Sequence, residues 1–218
     1  MTTSREMLKN RDYTLIIDKS GSMAITDKDD KKIKNEQVMK NRWELIEEST
    51  IALASKCEKL DPDGITIYTF STNFKKYVNV TARKVVDIFE NEDPFGNTNM
   101  AGVLQAALDD YFQRKMIGQA KPNGETILVV TDGKADDTIA VIRTIVEATQ
   151  KMDRDEELAI SFIQIGADKE ASEYLEYLDD QLQQDRGAKF DIIDTITIDE
   201  ILENGMTLTE VLLRAITD

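Results

Sequence analysis

Histidine is absent from all 218 residues of this chain. That absence removes the commonest general base, the commonest zinc ligand and every Ser-His or Cys-His nucleophilic arrangement together. A metal bound here must be held by oxygen. Cysteine occurs once, at Cys57, so no intramolecular disulfide can form. The thiol lies in an apolar helical stretch, 51–60, where it reads as buried and inert. No window approaches the roughly 20 apolar residues of a membrane span. Residues 1–10 are polar and mixed in charge, without the apolar core of a signal sequence. These two absences lead us to expect a cytoplasmic protein. There is also no phosphate-cradling Gly-rich loop with a Lys and hydroxyl pair, so nucleotide hydrolysis lacks its main parts.

Positive charge is in deficit. Lys and Arg number 27 against 42 Asp and Glu, a formal net charge of −15. A field of that sign repels phosphate backbones and anionic headgroups, so neither nucleic acid nor a membrane surface is an expected partner. Its plainest consequence is solubility.

What is present is a nearly regular alternation of strand and helix signals. Residues 13–17 form a short apolar run that ends abruptly at Asp18, the pattern of a buried strand. A polar stretch follows, then helical spacing over 42–59 with Trp43, Ile46, Thr50, Leu53, Ala54 and Cys57 on one stripe. The turn signal at 61–64 stops it. Residues 65–70 and 75–80 read as two strands joined too closely for a parallel crossover, hence an antiparallel hairpin. Thr81 is an N-cap candidate for a helix over 82–89. A helix over 99–115 is predicted next. The clearest buried strand, 126–131, also ends at an aspartate, Asp132. Helices are predicted over 137–152, 168–184 and 201–216, and strands over 158–165 and 190–198. The pattern implies a single α/β domain, 1–218, with a doubly wound, mostly parallel six-stranded sheet. One edge strand is antiparallel and helices cover both faces. Residues 1–10 read as an N-terminal tail and 24–41 as an inserted polar loop or helix extension. The acidic cluster at 27–30 lacks the spacing of an EF-hand.

In open α/β sheets, ligands bind beyond the carboxyl ends of the strands, where strand order reverses. Asp18 and Asp132 both stand at such ends. Asp18, Ser20 and Ser22 alternate, so their oxygens can face one point, and Gly21 lets the backbone bend between them. Taken singly, the two aspartates and two serines read as cap or turn residues, and Thr98 as the N-cap of the following helix. Together, carboxylates at two strand ends with clustered hydroxyls make an oxygen cage suited to a hard cation such as magnesium.

The run Asp18-Lys19-Ser20-Gly21-Ser22 resembles the D-x-S-x-S signature of the von Willebrand factor A, or integrin I, domain, with its metal-ion-dependent adhesion site. Gly96-Asn97-Thr98-Asn99 and Thr131-Asp132-Gly133 match the two segments that complete the site in that family. The resemblance spans about residues 11–216. It implies a stand-alone binding module in which Ser20, Ser22 and Thr98 ligate one Mg²⁺ through hydroxyls. Asp18 and Asp132 would bind the ion directly or through water, and Mn²⁺ or Ca²⁺ could replace it. The open position would take a Glu or Asp from a partner protein, with no catalysis. Sliding of the C-terminal helix is coupled to ligand affinity in integrin-type relatives, and 201–216 occupies the corresponding place. The competing reading is a Mg²⁺-dependent phosphohydrolase of the haloacid-dehalogenase type. That reading needs an acid two residues after the first aspartate, where this chain has Ser20.

Overall fold

The computed structural model describes residues 4–26, 41–60 and 64–217. Six strands form one sheet in the order β3-β2-β1-β4-β5-β6. They are β1 Asp12–Asp18, β2 Ile65–Phe70, β3 Phe74–Val80, β4 Glu125–Thr131, β5 Leu158–Gln164 and β6 Ile193–Thr197. All neighbours are parallel except β2 and β3, which pair as the expected antiparallel hairpin at one edge. Chain order runs outward from β1 through β2 to β3, then crosses to β4 on the other side of β1. The reversal between β1 and β4 opens a crevice at the carboxyl ends of those two strands.

The central strands are apolar on both faces because helices cover both. Leu15, Ile17, Leu128 and Val130 face one core with Trp43, Ile46 and Leu53 of α2 (Arg42–Leu60), Val85 and Phe89 of α3 (Ala82–Asn91), and Val211 and Leu212. Trp43 and Phe89 lie with ring centroids 4.4 Å apart and lock α2 to α3. Ile16, Ile127 and Val129 face the opposite core. There they meet α4 (Met100–Met116), α5 (Thr138–Lys151) and α6 (Lys169–Asp180). One-residue alternation along β1 and β4 thus feeds two cores, as a doubly wound sheet requires.

Several boundaries differ from the sequence reading. Residues 1–10 were expected as a tail, but Ser4–Met7 form a helical turn, α1, and Leu8 is buried. Tyr13 Oη donates to the Leu8 carbonyl at 2.6 Å, and Asn123 Nδ2 donates to the Glu6 and Lys9 carbonyls. Asn99 caps α4 by accepting from Gly102 N–H, so the cap is one residue beyond Thr98. Thr81 stands at the N-cap of α3 without a side-chain bond. The helix expected over 168–184 ends at Asp180 and gives way to a short α7, Leu182–Arg186, closed by left-handed Gly187. The strand expected over 190–198 is confined to Ile193–Thr197. The final helix is two, α8 Ile198–Glu203 and α9 Leu208–Thr217, broken where Gly205 takes φ +59°. Most of the 24–41 insertion and of the 61–64 turn lies outside the described residues.

Candidate metal centre

Three loops meet at the β1/β4 crevice. The first leaves β1 at Asp18 and becomes a single 3-10 turn, Gly21–Ala24. The second carries residues 95–99, and two backbone bonds tie it to the first: Phe95 N–H to the Lys19 carbonyl at 2.8 Å and Gly21 N–H to the Gly96 carbonyl at 3.0 Å. Gly96 has φ +91°, and an added Cβ would come within 2.7 Å of the Thr72 hydroxyl, so a side chain there would open this junction. The third loop follows β4 at Asp132.

Four of the five candidate residues form a continuous hydrogen-bonded arc. Asp18 is wholly buried; its Oδ1 accepts from Ser20 N–H at 2.7 Å and its Oδ2 from Thr131 Oγ1 at 2.6 Å. Ser20 Oγ and Ser22 Oγ lie 3.1 Å apart, and Ser22 Oγ donates to Asp132 Oδ1 at 2.8 Å. Asp132 is buried too, and its Oδ2 accepts from Arg42 Nη1 at 2.6 Å. Thr98 stands outside the arc and is bonded through its backbone to Asp136, four residues beyond Asp132. Its N–H donates to Asp136 Oδ2 at 3.0 Å and its carbonyl accepts from Asp136 N–H at 3.1 Å. Its hydroxyl makes no hydrogen bond among the described residues.

The donor set fits a hard cation. Cis ligands of an octahedral ion with bonds of 2.0–2.1 Å are about 2.9 Å apart, close to the separations of the Ser20, Ser22 and Asp132 oxygens. Burial pushes the Asp18 carboxyl up to about 6 despite its bonds from Thr131 and Ser20. No cationic side chain among the described residues pairs with it. A buried carboxylate with donors but no counter-charge is a position where a cation would relieve a cost. Among the described residues no group of three His, Cys, Asp or Glu side chains is placed to hold a metal. A cation would therefore rest on two carboxylates plus hydroxyls. The chain's own part is to hold those oxygens: β1 and β4 fix the carboxylates, and the Gly21 turn aims the two serines.

Sequence reasoning missed Arg42, which read as an ordinary first residue of a helix, and Asp136, which read as loop. Lys19, between Asp18 and Ser20, sends its side chain to another partner. It pairs with Glu92 at 3.0 Å, and Glu92 also takes Lys75 Nζ and the Tyr77 hydroxyl. Burial pushes the Glu92 carboxyl up, but the bonds from Lys75, Tyr77 and Lys19 outweigh it and leave it below its ordinary value.

Residues 13–134 match the von Willebrand factor type A domain, a stretch that contains all five candidate ligands. The chain belongs to that family. Solved structures agree on the fold of this type A domain. The D319A mutant of the PilB minor pilin from Streptococcus sanguinis aligns with a TM-score of 0.62 at 13% identity over 94% of the chain. The manganese-loaded TRAP protein of Plasmodium vivax aligns at 0.56 and 14% identity, over 93% of the chain and 74% of TRAP. The chain spans 62% of the pilin's length. No curated protein matches. The dehalogenase-type outline finds no support: the place of its second acid is filled by Ser20, whose hydroxyl faces Ser22. No helix among the described residues is long and apolar enough to cross a membrane.

Proposed function

We propose that this domain binds one divalent cation, Mg²⁺ in the first instance and Mn²⁺ or Ca²⁺ as alternatives, and uses it to bind a protein. Asp18, Ser20, Ser22, Thr98 and Asp132 are the ligands, directly or through water. The observation that carries the reading is the hydrogen-bonded arc from Asp18 to Asp132, drawn from two strand ends at the switch point, with the Ser20, Ser22 and Asp132 oxygens spaced like ligands of one small ion. The family and a manganese-loaded protein of the same fold support the same reading.

Hydroxyl ligands add no negative charge, so two carboxylates leave a bound ion electron-poor and open to a further anionic oxygen. A Glu or Asp side chain of a partner protein is that oxygen. The chain has no histidine, and both cage carboxylates are engaged in the arc, which leaves neither free to act as a general base. We therefore take it to be a binding module rather than an enzyme. A cytoplasmic setting belongs to this proposal, consistent with a single buried cysteine that has no second cysteine to form a disulfide with.

The test is calorimetric titration of the EDTA-stripped protein with Mg²⁺ and Mn²⁺, followed by partner capture in magnesium and in EDTA. One saturable site, lost in Asp18→Ala, and a partner released by chelation are expected. Absence of metal binding, or partners indifferent to EDTA, overturns the reading.

A further inference from the structure

Arg42 opens α2, 24 residues after Asp18, yet its guanidinium reaches the cage. Nη1 lies 2.6 Å from Asp132 Oδ2, with the two side chains 11% and 0% exposed. Two features hold it there. The Arg42 N–H donates to the Ile25 carbonyl at 3.0 Å, and Ile25 N–H donates to the Ser22 carbonyl at 3.0 Å. The first turn of α2 is thereby chained to the serine loop. On the other side lies Gly166, just after β5, with φ +75°. A Cβ there would come within 2.8–3.0 Å of the guanidinium atoms. Glycine at 166 leaves room for the guanidinium where it lies, and its left-handed backbone disfavours any other residue there.

Asp132 is therefore divided between two duties. One carboxylate oxygen accepts from Ser22 inside the cage, and the other accepts from a fixed positive charge. A guanidinium in this position balances a buried carboxylate that would otherwise stand unpaired. It also stands one carboxylate away from any cation in the cage and competes with it for Asp132.

We propose that Arg42 is a tethered counter-cation of the metal centre. It neutralises Asp132 when no metal is bound, and it holds the affinity for divalent metal below what the oxygen cage alone would give. Metal occupancy is in this way coupled to the placement of the first turn of α2. The proposal rests on the metal-binding reading given above. Arg42 acts through Asp132, so it is a positioning residue. One positive charge about 6 Å from a divalent ion, with the dielectric of water, weakens binding by about tenfold.

The test compares wild type, Arg42→Gln and Arg42→Lys, each stripped of metal. Affinity for Mg²⁺ and Mn²⁺ is read by calorimetry, and the thermal midpoint is read in EDTA and in magnesium. Arg42→Gln is expected to bind metal about tenfold more tightly, to melt lower in EDTA, and to gain more from magnesium than wild type does. Arg42→Lys keeps the charge and stays within about threefold of wild type. A gain in affinity is not what simple structural damage produces. If Arg42→Gln folds only with metal, that supports the counter-cation role, and its affinity is read from the metal dependence of the midpoint. Equal or weaker metal binding by Arg42→Gln overturns the proposal, as does Arg42→Lys behaving like Arg42→Gln. Wild type that binds no metal is a distinct result: it removes the metal centre itself, and this proposal with it.

Discussion

Replacing Asp132 by alanine separates what the carboxylate does for the fold from what it does for the cage. Its side chain is fully buried and its ion-pair partner Arg42 is 11% exposed. Breaking a buried pair by removing one member costs about 3–5 kcal/mol when the survivor stays unsolvated. Arg42 lies near the rim, where its charge can turn to water, so a cost of about 1–3 kcal/mol is the better expectation. For a chain of this size that lowers the midpoint by about 3–10 °C. The fold itself should survive, because β4 is buried along its length and paired with β1 on one side and β5 on the other. The effect on metal is larger. One carboxylate about 4 Å from a divalent ion contributes about 2 kcal/mol even with the dielectric of water, a factor of about thirty. The guanidinium's repulsion is present in wild type and stays in the variant, so the loss remains about thirtyfold. The double variant Asp132→Ala/Arg42→Gln should then recover about tenfold of that loss. Calorimetric titration gives the affinities and far-ultraviolet circular dichroism gives the melting. Unchanged metal affinity in Asp132→Ala would refute the assignment of the cage. Outright unfolding would make Asp132 a structural residue first, and a double variant no better than the single would refute the coupling.

Two further outcomes follow from charges placed away from the cage. In β6, Asp194 is fully buried, accepting from Ser161 Oγ at 3.0 Å and from Arg214 Nε of α9 at 2.6 Å. Arg214→Met should cost about 2–3 kcal/mol in urea unfolding, discounted because the arginine is 41% exposed. Adding Asp194→Asn should return part of it, and an unchanged midpoint in Arg214→Met would show that Asp194 does not depend on this partner. Glu92 has a folded value below its ordinary 4.5, so the stability it contributes is present above that value and is lost as pH falls through the folded one. Glu92→Gln should therefore cost about 2 kcal/mol at pH 7, with the gap to wild type closing in acid. A gap that stays constant down to pH 3 would show that the carboxylate's charge is not what matters there.

The parts of this molecule that were legible in its sequence are those whose cause is local. Both cores draw on β1 and β4, so the two strands are continuous apolar runs, and each stops at the aspartate it delivers to the crevice. The hairpin of β2 and β3 could be read because a three-residue link permits no crossover. The errors arose where helical spacing runs on across a break. Residues 198–217 keep an apolar stripe through Gly205, yet the left-handed backbone at that glycine ends α8. Residues 168–184 likewise keep their spacing past Gln181. Leu8 could not be placed at all, because a single leucine among polar neighbours shows no period. Its burial is decided by Tyr13 and by the Asn123 turn, 115 residues away in the chain.

Arg42 was invisible for a stronger reason. A basic residue at the first position of a helix opposes the helix dipole, and by local rules it reads as a solvated charge of no consequence. Its position makes sense only once β4 brings Asp132 within 2.6 Å and Gly166 clears the path between them. An unfavourable local choice tolerated at a site is where functional constraint is expected to appear. The same holds for Asp18, buried at the end of an otherwise apolar strand with no counter-charge among the described residues. The two features balance each other across the cage. One carboxylate takes no cationic partner from the described residues, and the other carries the Arg42 guanidinium. A divalent ion bound between them would satisfy the first and loosen the second. That asymmetry, more than the count of oxygen donors, is what makes the β1/β4 crevice a place where a metal could change how the chain is held.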